Sequence, residues 1–210
     1  MLIEKDKSTL VIIDVQEKLV SVMPKPHTFI VNIIKLQKAA KALGIKTLCS
    51  EQYPEGLGHT IKKIQENIEM RTKPAHYLKK KLKYPPVDML SEKYDVLLHK
   101  TEFSIGFIAA RGVNKDEEPL TLDHVIISGI EAHVCVLQTA IDIAEDKKNK
   151  KKVYVVQDAI ASRNEKDYLT ALSRLDKYPN IQIVTCEMVL FEWLRTSDHP
   201  EFKNISQLIK

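Results

Sequence analysis

Glycine is scarce, with 6 residues in 210, and none stands in a GxGxxG or GxxxxGK[ST] arrangement. A dinucleotide fingerprint and a phosphate-cradling P-loop are therefore both excluded. Cysteine is scarcer: Cys49, Cys135 and Cys186 form an odd, widely spaced set without a CxxC pair. That argues against a disulfide framework and for a reducing, cytoplasmic location. The chain lacks any apolar run near the ~18 residues that a membrane span needs. Met1-Leu2-Ile3-Glu4-Lys5-Asp6-Lys7 carries charge where a secretory leader would be apolar, and Leu208-Ile209-Lys210 is no peroxisomal address. The histidines at 27, 59, 76, 99, 124, 133 and 199 include no pair at a familiar zinc-ligand spacing. No metal and no other cofactor is expected.

What is present is an ordinary globular balance, 44% hydrophobic and 29% charged. The length fits one domain over residues 1–210, large enough to bury roughly 70% of the unfolded surface. The net charge of +4 comes largely from two runs, Lys79–Lys83 and Lys147–Lys152. Solvated faces explain such runs. Nucleic-acid contact is the lesser reading, because no aromatic-rich RNA-binding signature accompanies them.

Thr9–Ile13 is a β-branched apolar run ending at Asp14, the pattern of a strand buried on both faces. Phe29–Leu43 has apolar residues at 29, 33, 36, 40 and 43, a helical stripe, with Gly44 where a C-terminal cap belongs. Further strands are expected at Ile45–Cys49, Tyr94–His99, His124–Ser128, Val153–Val156 and Ile181–Val184. Further helices are expected at His59–Met70, Phe103–Arg111, Ala132–Lys147, Glu165–Lys177 and Glu187–Leu194, and Arg71–Ser91 reads as a surface excursion. Six strands alternating with helices predict a three-layer α/β/α domain around a mostly parallel sheet.

Such sheets bind ligands beyond the carboxyl ends of their strands. That rule selects Asp14, Ser50-Glu51, Lys100, Gly129–Cys135 and Asp158. A partly desolvated Asp14 could accept a proton, though a capping or loop aspartate is the plainer alternative. Lys100 could hold an anion or favour a thiolate; a surface lysine is the plainer alternative. Cys135 opens a helix directly after a strand, where free amides and the helix dipole favour a thiolate. An inert, buried cysteine is its alternative. His133 lies two residues from Cys135, off its helix face, so it suits a pocket wall better than a base. Cys49 and Cys186 read as packing residues.

Leu10–Gln16, Lys100–Ser104 and Ser128–Ala140 together resemble the isochorismatase-like cysteine hydrolase superfamily in residue order and strand position. Glu51–Gly58 and Asp198–Lys203 are similar to the eukaryotic isochorismatase domain-containing proteins. The resemblance implies strand order 3-2-1-4-5-6 and a triad of Asp14, Lys100 and Cys135. It also implies an oxyanion hole from the Glu131 and Cys135 amides, and a cis peptide between Ile130 and Glu131. Gln16, Glu51, Phe103, Ser104, Ile130 and His133 are the expected pocket residues. Ser50-Glu51-Gln52-Tyr53 stands where metal-dependent nicotinamidases carry Asp-x-His, which argues against zinc chemistry. Cys135 is retained where some vinyl-ether-cleaving relatives lack it. The reaction expected is therefore covalent hydrolysis of an amide or carbamoyl C–N bond in a small molecule. A homo-oligomer is also expected. The alternative is a non-catalytic binding or scaffold protein on the same fold.

Overall fold

The computed structural model describes residues 2–68, 96–106, 123–146 and 151–210. Six strands, β1 (Ser8–Ile13), β2 (Lys46–Gln52), β3 (Val96–Lys100), β4 (His124–Ile130), β5 (Lys152–Ala161) and β6 (Ile181–Val184), form one sheet. Their order is β3-β2-β1-β4-β5-β6, and every pairing is parallel. The order reverses between β1 and β4, so the cleft between their carboxyl ends is the topological switch point.

Period-two alternation sorts the strand residues between two faces. Leu10, Ile12, Cys49, Ile126, Tyr154 and Val156 join a core with α1 (Pro26–Ala42) and α4 (Cys186–Leu194). Val11, Ile13, Leu48, Leu98, Val125 and Ile127 join another with α2 (Leu137–Ala144) and α3 (Glu165–Leu175). Gly44, with φ 70°, follows α1 in the left-handed conformation of a helix cap. A short α5 (Phe202–Ser206), absent from the sequence reading, packs Phe202 and Ile205 onto the α1/α4 core. No helix among the described residues is long and apolar enough to cross a membrane.

Several expected boundaries move. β2 runs on to Gln52, so Ser50 and Glu51 lie within it rather than after it. β5 runs on to Ala161 past an irregularity against β4, so Asp158 lies inside the strand. Its carboxylate accepts from the Cys186 amide at 2.7 Å, capping α4 on the face away from β4's turn. The helix expected over His59–Met70 contracts to one turn at Lys62–Gln65, and its last two residues lie outside the described residues. The helix expected from Phe103 does not begin there, since Phe103–Ile105 are irregular and 107–111 lie outside the described residues. The excursion at 71–91, the Lys79–Lys83 run and residues 147–150 of the other basic run also lie outside them.

Candidate active site

Asp14 is the first residue beyond β1, fully buried, with a left-handed backbone at φ 51°. Aspartate tolerates that region better than most side chains. The bend is fixed by its amide donating to the Ser50 carbonyl at 3.1 Å and its carbonyl accepting from the Gln16 amide at 2.8 Å. Its carboxylate is held at both oxygens. Ser50 Oγ donates to Oδ1 at 2.7 Å, and Lys100 Nζ donates to Oδ2 at 2.7 Å.

Lys100 closes β3 and is 8% exposed. Beyond Asp14, its ammonium donates to Gln52 Oε1 at 2.7 Å and to the Phe103 carbonyl at 3.1 Å. An ammonium has three N–H donors, so all are engaged. The buried charge is thus paired and fully hydrogen-bonded, the condition under which a desolvated ion is tolerated.

Cys135 is buried, and both Asp14 and Lys100 act electrostatically on its thiol. Burial, and then the Asp14 charge, push the thiol up to about 12, while Lys100 pulls it the other way. This corrects the expectation of a depressed thiol: dehydration outweighs the lysine. Burial and Asp158 also lift Cys186 to about 12. Acidity therefore does not single out Cys135; the Asp14–Lys100 ion pair acting on it does.

The turn carrying Cys135 departs from a simple helix start. The Ile130–Glu131 peptide is cis, and Ala132–Val136 form a π-helical turn before α2. The Glu131 carbonyl accepts from Val134 N at 3.1 Å and Val136 N at 3.2 Å, passing over the intervening Cys135 amide. Gly129 makes this approach possible. Its φ is 117°, and a Cβ there would lie 2.1 Å from the Ile13 carbonyl oxygen.

The expected pocket residues divide. The Phe103 backbone touches Lys100 and its ring is half-exposed, while Ser104 Oγ accepts from the Gly106 amide at 2.9 Å. Gln16 is fully buried and structural, its Nε2 donating to the Gln52 and Gly58 carbonyls at 3.0 and 2.6 Å. Ile130 is fully buried and belongs to the core against α1. Glu51 turns to the opposite face from Lys100. There it accepts from the Thr60 amide at 2.6 Å and contacts His99 Nε2 at 3.0 Å and His59 Nδ1 at 3.1 Å. Burial alone would raise the Glu51 carboxyl, but the bonds from His99, Thr60 and His59 hold it down at about 2. His133 turns toward β5, contacting Ser162 Oγ at 2.9 Å, with Asp167 and Glu131 each 3.9 Å away.

Four neighbours escaped the list of expected pocket residues: Ser50, Gln52, Ser162 and Arg163. Arg163 Nε pairs with the Glu131 carboxylate at 2.9 Å, and Ser162 and Arg163 directly follow β5. The strand-end rule finds them once β5 is read to Ala161. Among the described residues, no group of three or more His, Cys, Asp or Glu is arranged to hold a metal ion.

A parallel, doubly covered sheet with a buried Asp–Lys–Cys cluster at its switch point defines a doubly wound α/β protein with its candidate site at the carboxyl ends of the strands. Residues 8–187 match the isochorismatase domain, and the chain belongs to that family. It is 34% identical over 176 residues to isochorismatase domain-containing protein 1 of Danio rerio, covering 84% of this chain and 51% of that protein. The chain thus spans about half the length of that relative. Isochorismatase domain-containing protein 2 of Danio rerio is 30% identical over 203 residues, 96% of this chain and 86% of that protein. Among solved structures, one described as MAR1 ribonuclease from Caenorhabditis elegans superposes with a TM-score of 0.77 at 30% identity. That match covers 100% of this chain and 92% of the other.

Proposed function

We propose that this chain is a cysteine-dependent hydrolase that cleaves the C–N bond of a small amide or carbamoyl compound. One observation carries the reading: a buried carboxylate 2.7 Å from a buried ammonium, both acting on the thiol of buried Cys135. Asp14 takes the Cys135 proton as sulfur attacks the carbonyl, so the thiol ionises only as it reacts. The Glu131 and Cys135 amides stabilise the oxyanion. Protonated Asp14 then passes its proton to the departing amine, leaving a thioester on Cys135. Asp14 next removes a proton from water, whose oxygen attacks the thioester carbonyl. Collapse releases the acid, and sulfur recovers the proton. Lys100, its three donors engaged, orients Asp14 and balances its charge without contacting the carbonyl.

The test is intact-protein mass spectrometry after incubation with a panel of small amides and carbamoyl compounds. The expected result is an acyl adduct mapped to Cys135 and absent in Asp14→Asn. Binding of these compounds with neither adduct nor released amine would instead support a non-catalytic binding protein.

A ribonuclease reading has specific support in the name of the similar worm protein and in the basic runs of this chain. RNA affinity that falls steeply with added salt, together with RNA cleavage, would favour it over amide hydrolysis. Self-association belongs to the same proposal, and a monomeric mass by light scattering would remove it.

A further inference from the structure

Among the described residues, Gln52 is the one hydrogen-bond partner of the Lys100 ammonium that is neither the Asp14 carboxylate nor a backbone carbonyl. It stands opposite Lys100 in the β2–β3 register, so both side chains project from one face. Its orientation is determined. Lys100 is donor-only, so Oε1 must face it, and Nε2 donates the other way, to the Thr101 carbonyl at 2.7 Å. Its backbone is clamped as well. Gln16 Oε1 accepts from Gln52 N at 2.7 Å, and Gln16 Nε2 donates to the Gln52 carbonyl at 3.0 Å. A side chain so thoroughly held transmits that rigidity to the ammonium.

The chemistry of the acceptor matters as much as its place. A neutral amide oxygen takes one ammonium hydrogen without competing for its charge. A carboxylate there would share Lys100 with Asp14 and leave a net negative cluster beside the sulfur. An apolar residue would leave one buried ammonium hydrogen unpaired and the side chain free to swing.

We infer that Gln52 is a positioning residue, a neutral acceptor that fixes Lys100 against Asp14 and thereby tunes proton transfer from Cys135. The inference rests on the hydrolase reading above, and it is tested without any substrate. The full-length chain is labelled with iodoacetamide across a pH series, and labelling of Cys135 is followed by peptide mass spectrometry. Below some pH the rate falls off, because the acceptor for the thiol proton is filled. In Gln52→Met that fall-off moves to higher pH by about one unit, and the rate above it drops about tenfold. In Gln52→Glu, which keeps the size and the acceptor, the fall-off also moves up, because a second carboxylate shares the ammonium. Circular dichroism checks folding, and Gln52→Glu alone decides if the Met variant does not fold. Folded variants that keep the native fall-off, whatever their rate, overturn the inference and leave Gln52 a structural residue. If Asp14→Asn abolishes the native fall-off while the Gln52 variants leave it in place, only the role of Gln52 falls. If Asp14→Asn leaves the native fall-off unchanged, the hydrolase reading fails and this inference with it.

Discussion

A cysteine lifted to about 12 is a poor nucleophile at rest, and its use depends on the neighbour that takes its proton. Replacing Cys135 with Ala should abolish acyl-adduct formation with every amide tested, while the melting temperature stays near native. Intact-mass measurement and a thermal melt check the two halves. Glu51 makes a separate prediction, for stability rather than chemistry. Its folded carboxyl lies at about 2 against an ordinary 4.5, so it contributes stability that is fully present above 4.5. That contribution is lost as pH falls from 4.5 toward about 2, where the folded carboxyl itself protonates. Glu51→Gln should therefore melt below the native chain at neutral pH, and the gap should narrow across that window. The positions of Asp14, Lys100 and Cys135 were legible at this scale because each ends a strand or opens the helix after one, while their grouping came from the resemblance. Gln52 was not: ending β2 at Cys49 put Glu51 in a loop, where alternation no longer separates it from Ser50 and Gln52.

At the scale of elements, the decisive piece is the turn from β4 into α2. Its geometry needs a backbone approach that only glycine permits, with Ile13 nitrogen and oxygen 2.5 and 2.1 Å from where a Cβ would stand at 129. Gly129→Ala should lower stability by about 1–3 kcal/mol, the usual cost of a disfavoured backbone region. It should also slow Cys135 alkylation, because β1 and β4 must separate at the site. Urea unfolding and iodoacetamide labelling measure the two effects. As a comparison remote from the cluster, Asn164 caps α3 by accepting from the Lys166 amide at 2.9 Å. Asn164→Ala should cost about 1 kcal/mol and leave the labelling rate unchanged. Hydrophobic periodicity located both helices but could not show the π-helical turn at Ala132–Val136. That turn depends on which carbonyl each amide reaches, and apolar spacing does not encode it.

For the whole molecule, the two cores on either side of the sheet set the stability. Trp193 is almost wholly buried between α4 and the sheet, and its Nε1 donates to Ser8 Oγ at 3.0 Å. Trp193→Ala should destabilise by about 3–5 kcal/mol in urea unfolding, the range for removing a large buried aromatic. The sequence by itself determined the alternation of six strands and helices, because burial on both faces leaves continuous β-branched runs and burial on one helix face leaves a stripe. The same patterning placed Asp14 and Lys100 at strand ends. The strand order and the cis Ile130–Glu131 peptide came from resemblance, and the structure carries both. Only the tertiary structure decided that Ser50 and Gln52 face the acid and the lysine while Glu51 faces His59 and His99. Only the tertiary structure, too, dehydrated Cys135 enough to reverse the expected shift of its thiol. The physical reason is common to both. Side-chain direction and dehydration depend on strand register and on residues far apart in the chain, and neither is a property of local sequence.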